Sequence, residues 1–243
     1  MNTDIVAARG SGAVRRALEA ELRAARARGV EQPVVVDVGG GSGGWAVPFA
    51  SAGCLVTVVE PNPNARATLL RRAVEEGVAQ RITVVADDSD ALDAHVPAGS
   101  ADLVLAHGLL EVVDDPRVVL AALAAAVAQG GAVSVLVANR NAAVLHRALT
   151  GRVADAHRLL TDADGVVPGE RDMVLRRYDS AGLTDALVAA GLEVTLLQGD
   201  RVIADIVPGE VREEELADFE LAAAAIPALR DVAGRLHAIA RRS

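Results

Sequence analysis

The sequence predicts an α/β fold built on a doubly wound, largely parallel sheet, and three observations support it. Strand-like runs of Val, Leu and Ala alternate with helical segments over the first 140 residues, the pattern of a parallel sheet covered by helices on both faces. The first strand runs into a glycine loop, VVVDVGGGSGG at Val34 to Gly44, where glycines permit a tight turn and close approach of a ligand to backbone. Asp37, Glu60, Asp88, His107 and Asn139 fall where successive strands end, and open α/β sheets hold ligands at those carboxyl ends.

Ser11 to Arg28 places Val14, Leu18 and Leu22 among Arg and Glu, the spacing of an amphipathic helix laid on a core. Arg15 and Arg16 lie near its start, one positioned to reach over the glycine loop. Three consecutive valines suit a first strand buried on both faces. Trp45 to Ala52 reads as a helix whose unpaired N–H groups and positive dipole end face the contents of the loop. Leu55 to Val59 is the second strand, ending in Glu60 before Pro61-Asn62-Pro63. A carboxylate there, about twenty residues past the first glycine, suits the two ribose hydroxyls of a nucleotide.

Ala65 to Glu76 is a helix closed by Gly77. Arg81 to Ala86 is the third strand and runs into Asp87-Asp88-Ser89, where Asp88 and Ser89 suit an adenine edge; an aspartate-rich turn is the bland alternative. Ala101 to Ala106 is the fourth strand, followed by His107. Asp114-Asp115-Pro116 caps a helix from Arg117 to Ala128, Gly130-Gly131 ends it, and Ala132 to Ala138 is the fifth strand. Asn139-Arg140-Asn141 leads into a short helix, Ala142 to Leu149, and a polar segment through Gly169. Residues 140–178 read as a cap-like insertion over the site. Ser180 to Ala190 is a helix stopped by Gly191. Glu193 to Val207 is extended with an interruption near Gly199-Asp200, Pro208-Gly209 is a turn, and Glu213 to Ala225 is a helix broken at Ile226-Pro227. Leu236 to Arg241 alternates apolar and polar residues, so a last strand competes with a helix end. One domain spanning residues 1–243 is expected, with its core at 33–138 and the last helices and strands at 179–243.

Aliphatic residues must build the core, since 51% of the chain is apolar but only 2% aromatic. All 24 basic residues are Arg, and the formal charge of −9 argues against broad nucleic-acid binding while leaving room for a local basic patch. Cys54 is the one cysteine and begins a strand, so core packing is its default. Neither a metal-ligand spacing nor a long uncharged apolar run is present. The N-terminal stretch lacks a basic start followed by an apolar signal core. A cytoplasmic enzyme without metal or membrane partner is the expectation, its oligomeric state open.

Two glycine patterns overlap. Gly39, Gly41 and Gly44 satisfy the G-x-G-x-x-G of NAD-binding loops, whereas Asp37, Gly39, Gly41 and Gly43 satisfy the D-x-G-x-G-x-G of S-adenosylmethionine loops. Asp37 counts against NAD, as does the lack of lysine, which rules out a Tyr-x-x-x-Lys pair. Together with the acid ending strand two, Asp-Ser after strand three and ADLVLAHGLLEVVDDP around strand four, the second pattern resembles the class I S-adenosylmethionine-dependent methyltransferases over Val34 to Ala138. That resemblance implies a Rossmann-like sheet of seven strands whose last runs antiparallel between its neighbours, which favours strand for Leu236 to Arg241.

GAVRRAL, AHGLLEVVDDPR, SVLVANRNAAVLHRALTGR and GDRVIADIVPG resemble, more narrowly, the tRNA 5-carboxymethoxyuridine methyltransferase branch. On that resemblance Arg15 holds the methionine carboxylate of the cofactor, Gly39 and Gly40 its amino acid part, Glu60 its ribose, and Asp88 and Ser89 its adenine, with His107 beside it. Ala138, Ile203 and Ala204 depart from the tyrosine, aromatic and histidine usual there. The acceptor is an O or N nucleophile of tRNA or a small molecule. For a carboxylate, positioning by Arg140 or Arg201 suffices; for a hydroxyl or amine, His107 is the candidate catalytic base. Asn139 at the end of strand five, and Asp205 alternating with Arg201 along an extended segment, complete the substrate candidates, an ion pair being the alternative for the latter two. His95, His146, His157 and His237 show no catalytic pattern. The rival functions are an NAD-dependent oxidoreductase and a cofactor-binding regulatory protein without turnover.

Overall fold

A computed structural model describes residues 12–162, 176–205 and 211–242. Its sheet has seven strands in the order β3-β2-β1-β4-β5-β7-β6, namely β1 (Val34–Val38), β2 (Leu55–Val59), β3 (Ile82–Val85), β4 (Ala101–His107), β5 (Val127–Ala138), β6 (Leu192–Asp200) and β7 (Arg235–Arg242). The first five are parallel, and β7 runs antiparallel between β5 and β6. The doubly wound sheet expected from the sequence is therefore present, and Leu236 to Arg241 is strand. That segment alternates because its two neighbours leave each side chain one face of the sheet or the other.

Helices α1 (Gly12–Ala27), α2 (Ala46–Ser51) and α3 (Pro63–Glu75) cover one face, burying Val14, Leu18, Phe49 and Leu69 against Val35, Leu103 and Leu136. Helices α4 (Leu92–His95), α5 (Pro116–Ala126) and α8 (Ser180–Ala189) cover the other, with Leu120, Leu123, Leu183 and Leu187 packed on Val104, Val133 and Val135. The core is aliphatic on both sides, as the aromatic-poor composition requires. Past β5, α6 (Arg140–Leu149) and α7 (Val153–Thr161) form the described part of the insertion; the end of its polar segment and Pro208-Gly209 lie outside the described residues. Near the last strand lie α9 (Glu213–Ala223) and α10 (Pro227–Arg230).

Two departures from the sequence expectation have local causes. Gly130 and Gly131 do not end a helix; α5 stops at Ala126 and both glycines lie inside β5. A Cβ on Gly131 would sit 2.9 Å from the carbonyl oxygens of Ala101 and Asp102, beside the register shift that β4 and β5 share, so glycine marks a close backbone approach within the sheet. Strand β6 ends at Asp200, at the expected interruption, but the chain does not resume as strand through Asp205, because Arg201 turns left-handed at φ 59°. The Glu220 carboxylate then accepts from the N–H groups of Val202, Ile203 and Ala204 at 2.7–2.8 Å, which winds the chain into a turn.

Candidate active site

The ends of β1, β2 and β4 converge on the glycine loop, and two cavities meet there. One of about 530 Å³ is walled by Glu60, Asp88, Ser89 and the segment after His107. The other, of about 620 Å³, is walled by Asp37, the glycines, Trp45, His107, Glu111 and Arg235. Gly39 and Gly108 line both, so the cavities abut.

The backbone decides between the two glycine patterns. Gly39, Gly41 and Gly43 all adopt positive φ, at 70°, 56° and 78°, and a Cβ on Gly43 would meet Leu69 Cγ at 3.0 Å. Gly44 has neither property: its Cβ would meet open space. The third glycine of the dinucleotide pattern exists for close helix–strand packing, and nothing here demands it. The geometry is that of D-x-G-x-G-x-G.

Asp37 is buried beneath this loop. Its Oδ2 has no hydrogen-bond partner, and a Cβ on Gly40 would lie 2.7 Å from it. Burial, and then the charge of Glu60, push the Asp37 carboxyl up to about 7. Glu60 accepts from Gly41 N–H at 2.9 Å and from Asn62 N–H at 2.8 Å, so one carboxylate ties the loop to the end of β2. Only 8% of Glu60 is exposed, on the wall of the smaller cavity. Asp88 accepts from Ser89 N–H at 2.8 Å and turns the buried Ser89 into the same cavity.

His107, at the end of β4, packs edge-on to Trp45 with ring centroids 5.5 Å apart. Burial, with His237 and Arg235 nearby, holds its imidazole well below the usual histidine range. It is neutral at pH 7 and a weak proton acceptor, since a general base works best with a pKa near the working pH. That removes much of the support for His107 as catalytic base.

The sequence missed three residues of the larger cavity. Trp45 directly follows the glycine loop, a position that was itself a signal. Glu111, four residues past His107, accepts from Ala138 N–H through Oε1 at 2.8 Å. Its buried Oε2 has no hydrogen-bond partner, and burial raises its pKa. Arg235 pairs with the buried Asp200 at 2.5 Å; only the β6–β7 register brings these two together.

Five candidates stand away from both cavities. Arg15 lies 3.9 Å from Glu19 along its own helix and lines neither cavity, away from any carboxylate held at the glycine loop. Asn139 caps α6 through its Oδ1 and donates its amide to the carbonyls of Asp231 and Ala233; its place is structural, because a buried amide at a strand end is consumed by the turns it joins. Arg140 pairs with Asp179. Arg201 and Asp205, off the strand where alternation was expected to place them, pair with each other at the surface. Asn139→Ala is expected to cost about 1–3 kcal/mol, the cap together with two carbonyls left unpaired, measured by urea unfolding, while ligand affinity stays unchanged.

Comparison with known proteins shows the family. A methyltransferase-domain family model matches residues 12–197. The chain belongs to that family. This methyltransferase domain is 28% identical over 117 residues to the tRNA 5-carboxymethoxyuridine methyltransferase of Escherichia coli K12, covering 48% of this chain and 44% of that protein. It is 42% identical over 90 residues to the ribosomal RNA small subunit methyltransferase J of Laribacter hongkongensis, covering 34% and 32%. The matches thus span less than half the length of these curated relatives. A solved S-adenosylmethionine-dependent methyltransferase from Methanosarcina mazei shares the fold with a TM-score of 0.60 at 17% identity, over 87% of this chain and 93% of that one. The class I fold expected from the glycine loop and strand ends stands with the family, and S-adenosylmethionine is the cofactor that expectation implies. The donor set fits that molecule: a loop where Asp37 and Val58 leave no room for a Cβ on Gly40, an unpartnered buried carboxylate oxygen, and a second carboxylate facing the adjoining cavity. Among the described residues, no helix is long and apolar enough to cross a membrane, and no group of three or more His, Cys, Asp or Glu is placed to hold a metal.

Proposed function

We propose that this methyltransferase domain transfers a methyl group to an oxygen that is already anionic, a carboxylate carried by a tRNA wobble uridine or by a small molecule. The observation that carries this is the junction of the two cavities at Gly39 and Gly108. One side has the acids for a nucleoside. The other has an aromatic face, a neutral imidazole and a guanidinium. When bound, S-adenosylmethionine supplies a methyl group on a sulfonium that is open to in-line displacement. On this reading Glu60 holds the ribose, Asp88 and Ser89 the adenine edge, and the loop from Gly39 to Gly41 with Asp37 the amino acid part.

On the acceptor side, Arg235, anchored by Asp200, orients the carboxylate, and the ring of Trp45 packs on its carrier and excludes water. The chain's task is then alignment rather than proton removal, because a carboxylate needs no base at neutral pH.

One observation favours a second reading, a hydroxyl or amine acceptor: Glu111 Oε2 is a buried carboxylate oxygen with a raised pKa in the same cavity. Glu111→Gln separates the two. It leaves the rate within about threefold for a carboxylate acceptor and lowers it about 100-fold or more where Glu111 takes a proton.

Transfer of labelled methyl from the cofactor into fractionated RNA, protein and small molecules tests the proposal. Label in RNA identifies the tRNA source, and label in small acids alone identifies the other. Calorimetry against NAD is the companion measurement: binding of NAD alone sinks the methyltransferase assignment, and cofactor binding without transfer to any fraction favours a regulatory protein. Glu60→Ala is expected to weaken S-adenosylhomocysteine binding by about 1–3 kcal/mol, read by the same calorimetry or by Trp45 fluorescence, the only tryptophan signal in the chain. Unchanged affinity removes Glu60 from the ribose.

A further inference from the structure

Beneath the larger cavity, four side chains on four adjacent strands join into one buried line. His107 Nε2 lies 2.8 Å from Ser134 Oγ, Ser134 Oγ lies 2.8 Å from His237 Nε2, and the Gln198 amide nitrogen lies 2.9 Å from His237 Nδ1. Ser134 and His237 are fully buried and Gln198 nearly so. His237, which shows no pattern in the sequence, is thus coupled to His107 across β4, β5 and β7, and β6 supplies the end of the line. No apolar packing requirement explains four polar groups here, and each link in such a line constrains the next.

The hydrogens of this line run in one direction. An amide nitrogen can only donate, so His237 Nδ1 accepts from Gln198 and the His237 proton sits on Nε2. That Nε2–H donates to Ser134 Oγ, the hydroxyl hydrogen goes to His107 Nε2, and the one proton of neutral His107 is left on Nδ1. Nδ1 is also the nitrogen of His107 without a hydrogen-bond partner, in a ring that lines the cavity.

We propose that Gln198, His237 and Ser134 are positioning residues that fix His107 as the Nδ1–H tautomer, so that His107 donates a hydrogen bond to the methyl acceptor instead of taking its proton. No proton moves in this role. The donor holds one acceptor oxygen while the other attacks, and it fits an anionic nucleophile better than one that must be deprotonated. The role toward an acceptor rests on the methyl-transfer function proposed above; the tautomer itself does not.

Histidine-selective 15N NMR of the full chain, without ligand, is the test. The expected spectrum at pH 7 has His107 and His237 both neutral, His107 protonated on Nδ1 and His237 on Nε2. Ser134→Ala breaks the line and is expected to give His107 a mixture of tautomers, with kcat lowered about 10- to 100-fold, the usual effect of losing a partner that orients a histidine at metal sites, and with KM for the cofactor unchanged. His107 protonated on Nε2 in the wild-type chain overturns the proposal whatever the variant does. An unchanged tautomer in folded Ser134→Ala overturns the coupling. Should no fraction accept a methyl group, the spectrum still decides the tautomer, so failure of the transfer proposal and failure of this one are told apart.

Discussion

Gly40→Val is expected to abolish measurable cofactor binding, with affinity falling about 100-fold or more, while Gly44→Ala, four residues along, leaves it within about threefold. The difference lies in what each new Cβ meets. At Gly40 it would lie 2.7 Å from Asp37 Oδ2, 2.8 Å from Asp37 Cγ and 2.8 Å from Val58 Cγ1. None of these is the free end of a flexible side chain: Asp37 and Val58 are paired residues of the adjacent strands β1 and β2, both fully or almost fully buried. The loop must therefore lift. Lifting strains the hydrogen bond from Gly41 N–H to Glu60, so the substitution disturbs both halves of the nucleotide site through one carboxylate. Overpacking of this kind costs about 1–3 kcal/mol of stability, and about 2.7 kcal/mol of lost binding corresponds to the 100-fold fall. At Gly44 the Cβ meets open space and no positive φ is needed. Calorimetry with S-adenosylhomocysteine measures both variants. Equal effects at the two positions would return the loop to the dinucleotide pattern, in which Gly44 is the glycine that matters.

The lining of the smaller cavity and the glycine loop was legible in the sequence where its residues sit within a few positions of a strand end. Asp37, Glu60 and Asp88 follow runs of branched residues, and the parallel order of those strands alone brings them to one edge. The far wall of the larger cavity was not legible, because its residues meet through the antiparallel end of the sheet. Arg235 reaches the larger cavity only because β7 inserts between β5 and β6, and His237 reaches His107 only through a serine on the strand between. Local patterns carry no information about such register. Arg201 and Asp205 failed for a related reason: their alternation looked like strand, but three N–H groups captured by Glu220 from α9 outweigh extended pairing. Asn139 was located correctly at a strand end, yet its amide is spent on the carbonyls of the α10–β7 turn.

Asp37→Asn is expected to make the ligand-free protein more stable and the site worse, and the two effects separate with pH. In the unfolded chain Asp37 ionises near its ordinary 3.8, whereas in the folded protein burial and then Glu60 hold its proton to about 7. Between those values the folded state binds the extra proton, so its stability falls as pH rises from about 4 to 7 and is level above. The whole fall is on the order of 4 kcal/mol for a shift of this size. Asn at this position cannot ionise. The variant should therefore melt close to wild type near pH 4 and increasingly above it as pH rises, the difference growing evenly between about pH 4 and 7 and staying level at pH 8. Ligand binding should go the other way. A cationic amino group beside the unpartnered Oδ2 favours the ionised carboxylate, so binding of S-adenosylhomocysteine near pH 6.5 releases a proton from Asp37, and affinity rises as pH increases through 7. Calorimetry in two buffers of different ionisation enthalpy counts that proton in wild type, and Asp37→Asn should lose both the proton and about tenfold or more in affinity at pH 8. Parallel melting curves for the two proteins from pH 5 to 8 would show that Asp37 carries no such shift. A proton taken up rather than released would mean that the group meeting Oδ2 is an anion. The acid that distinguishes D-x-G-x-G-x-G from the dinucleotide pattern is on this account a destabilising element of the ligand-free fold.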